Sequence, residues 1–238
     1  MHKIIFTSFL FFVSVVAIAQ TGSGRIDSVL TPDSENARLV ECRIRHIDGK
    51  TRSISFLFNG KREGVWRNYS ARGIPESYEE YKADVRNGLT VNFAKSGTIE
   101  NEQLYKNGKL HGTRTAYLYG TVVRSTENFK DGLLDGEKIS NYENGNPQEI
   151  SFYKNGKRHG VTKWFSQDNK PSIEYTYADG VLNGLAKTYT AGKVTSEGNY
   201  KNDNEDGEWK IFEDDDLLKT IIYKNGVVIK EIAATKKR

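Results

Sequence analysis

The chain has 238 residues, with 35 Lys and Arg against 31 Asp and Glu, 22 Gly, 4 Pro and a single Cys. A formal net charge of +4, dispersed along the chain, falls short of the basic stripe that nucleic-acid binding needs, so no nucleic-acid partner is expected. The lone Cys42 excludes an internal disulfide framework, and stability has to come from packing and strand pairing.

In chain order, the first segment sets the expected compartment. Met1-His2-Lys3 is a short positive start, and residues 4–18 are apolar apart from Thr7, Ser8 and Ser14. Ala17-Ile18-Ala19 then places small residues at the cleavage-recognition positions, the layout of a secretory signal peptide. The apolar run is shorter than the roughly 20 residues that span a bilayer. Residues 1–19 are therefore expected to be cleaved and the protein exported, either periplasmic or secreted. Removing them takes away only Lys3 and leaves 34 basic against 31 acidic residues. Residues 20–40, with Gly22, Gly24 and Pro32, read as a flexible leader, and residues 233–238 as a polar tail ending in Lys236-Lys237-Arg238.

Between them, residues 41–232 repeat. With Leu57, Tyr81, Tyr105, Phe129, Tyr153, Tyr177, Tyr200 and Tyr223 taken as unit starts, the spacings are 24 and then 23 residues. Soon after each start comes a turn pair such as Asn59-Gly60, Asn107-Gly108 or Asp179-Gly180, and Ala83-Asp84 fills the slot in one unit. Seven residues after the start a second glycine recurs, as at Gly64, Gly112 and Gly184, and a third turn follows at Gly73, Gly97, Gly120, Gly145 and Gly192. Asn-Gly and Asp-Gly supply the positive φ angles of tight hairpins, so each unit reads as strand, turn, strand, turn. The segments between turns have the usual strand length and carry β-favouring runs such as Val65-Trp66-Arg67-Asn68-Tyr69. No mature segment keeps a helical apolar period over three turns, so helix content is expected to be low.

A second aromatic slot, at Tyr69, Phe93, Tyr117, Phe165, Tyr189 and Phe212, is expected to stack with the unit starts into ladders across neighbouring strands. A propeller blade needs a longer repeat, and a parallel β-helix coil has no use for turn glycines that divide it into hairpin arms. Caged-ligand hairpin repeats rely on Trp and Tyr pairs in each unit, whereas only Trp66, Trp164 and Trp209 occur here.

Catalysis needs unlike groups converging, and the chain offers none by spacing. His111 and His159 share one repeat slot two units apart, roughly 19 Å at ~4.8 Å per strand, too far to share a metal. His46 shows no evident partner, and Asp214-Asp215-Asp216 lacks the Gly and Glu of a calcium loop. Glu127, Glu149, Glu174 and Glu197 read as a solvated alternating face. No enzyme activity, no cofactor and no metal are expected.

Tyr105-Lys106-Asn107-Gly108-Lys109-Leu110-His111-Gly112 and Tyr153-Lys154-Asn155-Gly156-Lys157-Arg158-His159-Gly160 resemble the signature of MORN repeats in their bacterial variant form. The resemblance extends over about residues 41–232. It implies an all-β fold, an elongated single-layer antiparallel β-meander of about eight repeated hairpins, close to seventeen strands. The expected function is an exported protein-binding or scaffolding module of the cell envelope. Bacterial proteins with this variant are also grouped as YwqK antitoxin-like, which implies toxin neutralisation as the alternative. Membrane-surface binding ranks below both, because the near-neutral mature chain offers little attraction to anionic headgroups. Edge-to-edge self-association is the further partner expectation for an open sheet. Candidate contact residues are the edge group Lys109, His111, Lys157, Arg158 and His159, expected to be exposed. Trp66, Trp164 and Trp209 are candidate anchors if they face solvent, and otherwise fill the packed face.

Overall fold

The computed structural model describes residues 39–235 in full and the backbone of β1 (Val16–Ala17) and β2 (Ser28–Pro32). The expected cleavage site after Ala19, most of the leader and the basic residues of the tail lie outside the described residues.

The chain divides into two compact units. The first takes the described residues up to Arg86 together with residues 95–97. It holds β1, β2, β3 (Leu39–Arg45), β4 (Thr51–Phe58), β5 (Lys61–Tyr69) and β6 (Pro75–Lys82). The second takes residues 87–94 and the described residues from Thr98 onward. It opens with most of β7 (Val85–Phe93), followed by β8 (Ile99–Lys106), β9 (Lys109–Leu118), β10 (Val122–Lys130), β11 (Leu133–Asn141) and β12 (Pro147–Lys154). Next come β13 (Lys157–Arg158), β14 (Gly160–Phe165), β15 (Pro171–Ala178), β16 (Val181–Thr190), β17 (Lys193–Lys201), β18 (Asn204–Glu213), β19 (Asp216–Lys224) and β20 (Val227–Ala233). β13 and β14 both pair with β12, so they are one arm broken at His159. No helix occurs among the described residues, and within each unit chain neighbours pair antiparallel. The all-β hairpin meander expected from the repeat is the architecture observed.

The tight turns are of the kind the dipeptides predict. Asn59 and Gly60 hold φ angles of 51° and 77°, and Asn155 and Gly156 hold 50° and 81°, positive at both central positions. Units without glycine keep the same geometry, with Ala83 and Asp84 at 49° and 70° and Asn202 and Asp203 at 50° and 64°. The turns also stack. The N–H of Gly132 donates to the Leu110 carbonyl (2.8 Å), Gly156 to Leu134 (2.7 Å), Gly180 to Arg158 (2.8 Å) and Gly226 to Glu205 (2.9 Å). Each turn is thereby tied to the start of the preceding unit, and a backbone donor that would point outward is satisfied.

The second glycine slot is a bulge. Gln103 opposes Arg114 and Tyr105 opposes Leu110, so Leu104 alone faces three residues centred on Gly112, whose φ is 99°. The same slip recurs at Gly136 in β11 and Gly184 in β16, and in β18 it spans Gly207 to Trp209 opposite Gly198. Such bulges sharpen the local twist while leaving the side-chain alternation intact.

The register sorts the side chains onto two unlike faces. In the first unit Cys42, Ser53, Ser55, Ser77 and Tyr81 share one face, and in the second Thr90, Ser151, Thr162, Ala186, Trp209 and Ile221 do. These are all the buried side chains among the described residues. Most are small, and they lie in troughs between long neighbours on the same face, which is how a sheet without a second layer buries anything. This closed face contrasts with an open face on which Leu104, Phe152, Val161 and Leu185 are 38–48% exposed.

Candidate functional site

The closed face of the second unit is organised by rings. Trp164, Tyr175, Tyr200, Trp209 and Tyr223 form one run of edge-to-face contacts with centroid separations of 5.8, 5.8, 5.2 and 6.2 Å. Edge-to-face contacts of this kind contribute about 0.5–1.5 kcal/mol each beyond burial. The run crosses β16 over Ala186, which is 1% exposed and leaves room for the rings on either side. Trp209 donates from Nε1 to the Asn199 carbonyl at 3.1 Å and lies on Gly198, where a Cβ would fall within 2.4 Å of the indole. The expected ladder joining the two aromatic slots does not form. A two-residue turn reverses the parity of the chain, so Tyr189 and Phe212 stand on the open face while the unit-start tyrosines stand on the closed one. The tryptophans complete the run instead.

Arg158 departs from its expected place at an exposed edge. Its guanidinium lies 5.5–5.7 Å from the ring centroids of Tyr153, Trp164 and Tyr177, and bonds Glu149 at 2.7 Å. Lys109, Lys157 and His159 are exposed as expected, while His111 is half-buried. His111 and His159 face the next turn's carboxylates, Asp131 at 3.3 Å and Asp179 at 3.6 Å. His46, which showed no partner by spacing, reaches the Tyr69 carbonyl from Nε2 at 2.9 Å. Trp66 and Trp164 are half-buried and Trp209 is buried, so all three indoles fill the closed faces rather than standing out as anchors.

In the first unit the closed face forms an open concavity of about 470 Å³ around Trp66, Asn68, Glu79, Tyr81 and the guanidinium groups of Arg62 and Arg86. The polar groups at its centre are already paired with one another. Asn68 Oδ1 accepts from Ser53 (2.7 Å) and from Trp66 Nε1 (2.9 Å), and Asn68 Nδ2 donates to Ser77 (2.8 Å). Glu79 accepts from Ser77 (2.8 Å), Tyr81 (2.6 Å) and Arg86 (2.8 Å). Burial pushes the Glu79 carboxyl up, but the hydroxyls of Tyr81 and Ser77 and the charge of Arg86 outweigh it and hold the group below the ordinary carboxylate range. Arg62 covers the Tyr81 ring at 4.0 Å and pairs with Asp84. The centre of the concavity is thus a self-satisfied polar network.

This geometry of stacked Asn-Gly turns, bulge glycines and unit-start tyrosines meets its match in a family model described as the MORN repeat variant, at residues 134–155 and 158–179. The chain carries MORN-variant repeats. MORN repeats are generally protein- or membrane-binding modules and do not form an enzyme family. No curated protein matches the chain. Among solved structures the chain is similar to the Photorhabdus luminescens Tc holotoxin pore, mutant TccC3-D651A, at 11% identity over 82% of this chain and with a TM-score of 0.26. The chain spans 13% of the length of that chain.

The glutamates of the MORN-variant units do not make one solvated face. Glu127 and Glu149 lie on the closed face and Glu174 and Glu197 on the open one, each paired across strands. Lys163, Glu174, Lys187, Glu197 and Lys210 form an alternating ladder: Lys163 pairs with Glu174, and Lys187 and Lys210 with Glu197, at 3.2–3.8 Å, while Glu174 stands opposite Lys187 in the register of β15 and β16. Their offsets from the unit-start aromatic carry the distinction, even for Glu127 and Glu149 and odd for Glu174 and Glu197. The open-face apolar row was also within reach of that test. Leu104 and Phe152 immediately precede a start tyrosine, and Val161 and Leu185 immediately follow a bulge glycine.

Proposed function

We propose that the chain is an exported, non-enzymatic repeat scaffold that binds a protein partner in the cell envelope. The observation that carries the reading is the open face of the second unit, where Leu104, Phe152, Val161 and Leu185 stand 38–48% exposed. Apolar side chains repeated at equivalent positions of one face mark a contact surface. The flanking charges favour a protein over a lipid surface. The Lys163 to Lys210 ladder alternates in sign and sets three Lys against two Glu, a net of only +1, whereas binding to anionic headgroups calls for a basic excess. Export rests on the N-terminal sequence, and the absence of catalytic function on the repeat family together with the paired state of the glutamates.

The test is affinity capture of the tagged protein from native envelope and culture-supernatant fractions, run beside Phe152→Glu and Leu185→Glu. The expected result is one stoichiometric protein retained by the wild type and lost from both variants. A toxin recovered in that position would make the scaffold an immunity protein. Retention of nothing by the wild type, or equal retention by the variants, contradicts the reading.

A further inference from the structure

The closed face of the second unit has a second concavity, of about 380 Å³, where the ring run is absent and Ala116, Ser125 and Ser140 form a row of small side chains. Around it stand Arg114 on β9, Arg124 on β10 and Lys138 on β11, with Glu127 as the sole carboxylate of the lining. Lys138 pairs with Glu127 at 3.0 Å and Arg114 approaches it only to 3.8 Å, which leaves the lining two positive charges in excess. The Nε of Arg114 is buried with no hydrogen-bond partner. Among the described residues Arg124 makes no ion pair.

Two local irregularities aim donors here. The register between β9 and β10 slips from Val123 opposite Tyr117 to Ser125 opposite Ala116, which leaves Arg124 as the extra residue. Between β11 and β12 it slips from Asn141 opposite Pro147 to Ser140 opposite Glu149, which leaves Gln148 as the extra residue. Both bulge residues line the concavity, in keeping with the habit of bulges to redirect a side chain. In contrast to the first unit's network, these donors are not consumed by one another.

We propose that this concavity is a binding site for a dianionic oxyanion, the chemistry shared by phosphate, phosphate monoesters and sulfate. Two excess positive charges match a dianion better than a single carboxylate. Arg114 and Arg124 supply planar forks, and the Ser125 and Ser140 hydroxyls and the Gln148 amide supply neutral donors. The site stands apart from the open-face row, and its fate is independent of the partner reading.

The experiment is a titration of the full chain with inorganic phosphate against potassium chloride at equal ionic strength, followed by NMR of backbone amides and arginine side chains. Saturable shifts confined to β9–β12 are expected, with affinity about tenfold weaker in Arg124→Ala, the loss of one charge-assisted contact. Because Arg124 is exposed, that variant keeps the fold, and Ser140→Asp provides a second route by placing a carboxylate in the site. Parallel titrations with glycerol 3-phosphate and with vesicles containing phosphatidic acid distinguish a soluble ester from a lipid headgroup as the source, and saturation by either supports the site. Shifts reproduced by chloride alone, or wild-type affinity in Arg124→Ala, would overturn it.

Discussion

Gly198 is the one glycine of the repeat region that no repeat slot explains, and the Trp209 indole accounts for it. Its backbone is not in the left-handed region, so the need for glycine is purely steric. Gly198→Ala is expected to destabilise the protein by about 1–3 kcal/mol, the usual cost of overpacking. In a Trp209→Leu background the same change should cost much less, and a double-mutant cycle by urea denaturation checks this. Glu79 gives a second residue-scale prediction. Its folded value lies below the ordinary one, so its contribution is fully present above the ordinary carboxylate range and is lost as pH falls through the folded value. Glu79→Gln should therefore show a shallower loss of stability on acidification than the wild type. At the alkaline end, burial and then the charge of Glu205 push Tyr200 up to about 12, and burial and then Glu174 do the same for Tyr189. Both phenols stay protonated in the fold after the unfolded chain ionises, so stability should decline above about pH 10.

At the scale of elements, the turns are the part of this protein most legible in its sequence. Asn-Gly at 59–60, 107–108 and 155–156 announces positive φ at both positions, and the chain adopts it. The same logic exposes the units that depart from it. Ala83 at 49° and Ala191 at 53° occupy a region unfavourable for a residue with a plain Cβ. Ala83→Asn and Ala191→Asn are expected to raise stability by about 0.5–1 kcal/mol each, read from denaturation midpoints at constant slope. The sorting of side chains onto faces was less legible. Counting from a start tyrosine through a two-residue turn reverses parity, so Tyr177 and Tyr189, an even number of residues apart, end on opposite faces. The Arg124 concavity lay further out of reach. It depends on two register slips whose positions are set by the lengths of the turns at 119–121 and 142–146, which propensity does not specify.

At the scale of the whole molecule, each unit has two unequal faces. One is closed by its own side chains, through Tyr81, Glu79 and Arg86 in the first unit and the Trp164 to Tyr223 run in the second. In the second unit the other carries exposed apolar side chains and an alternating charge ladder of small net charge, the surface proposed for a partner. The most direct measurement is hydroxyl-radical footprinting of the free protein with residue-level mass spectrometry. Strong modification of Leu104, Phe152 and Leu185, with Tyr81, Trp209 and Ile221 protected well below their intrinsic reactivity, is the predicted result. Comparable modification of the two sets, once corrected for intrinsic reactivity, would contradict the division into a closed and an open face and remove the basis for the proposed partner surface.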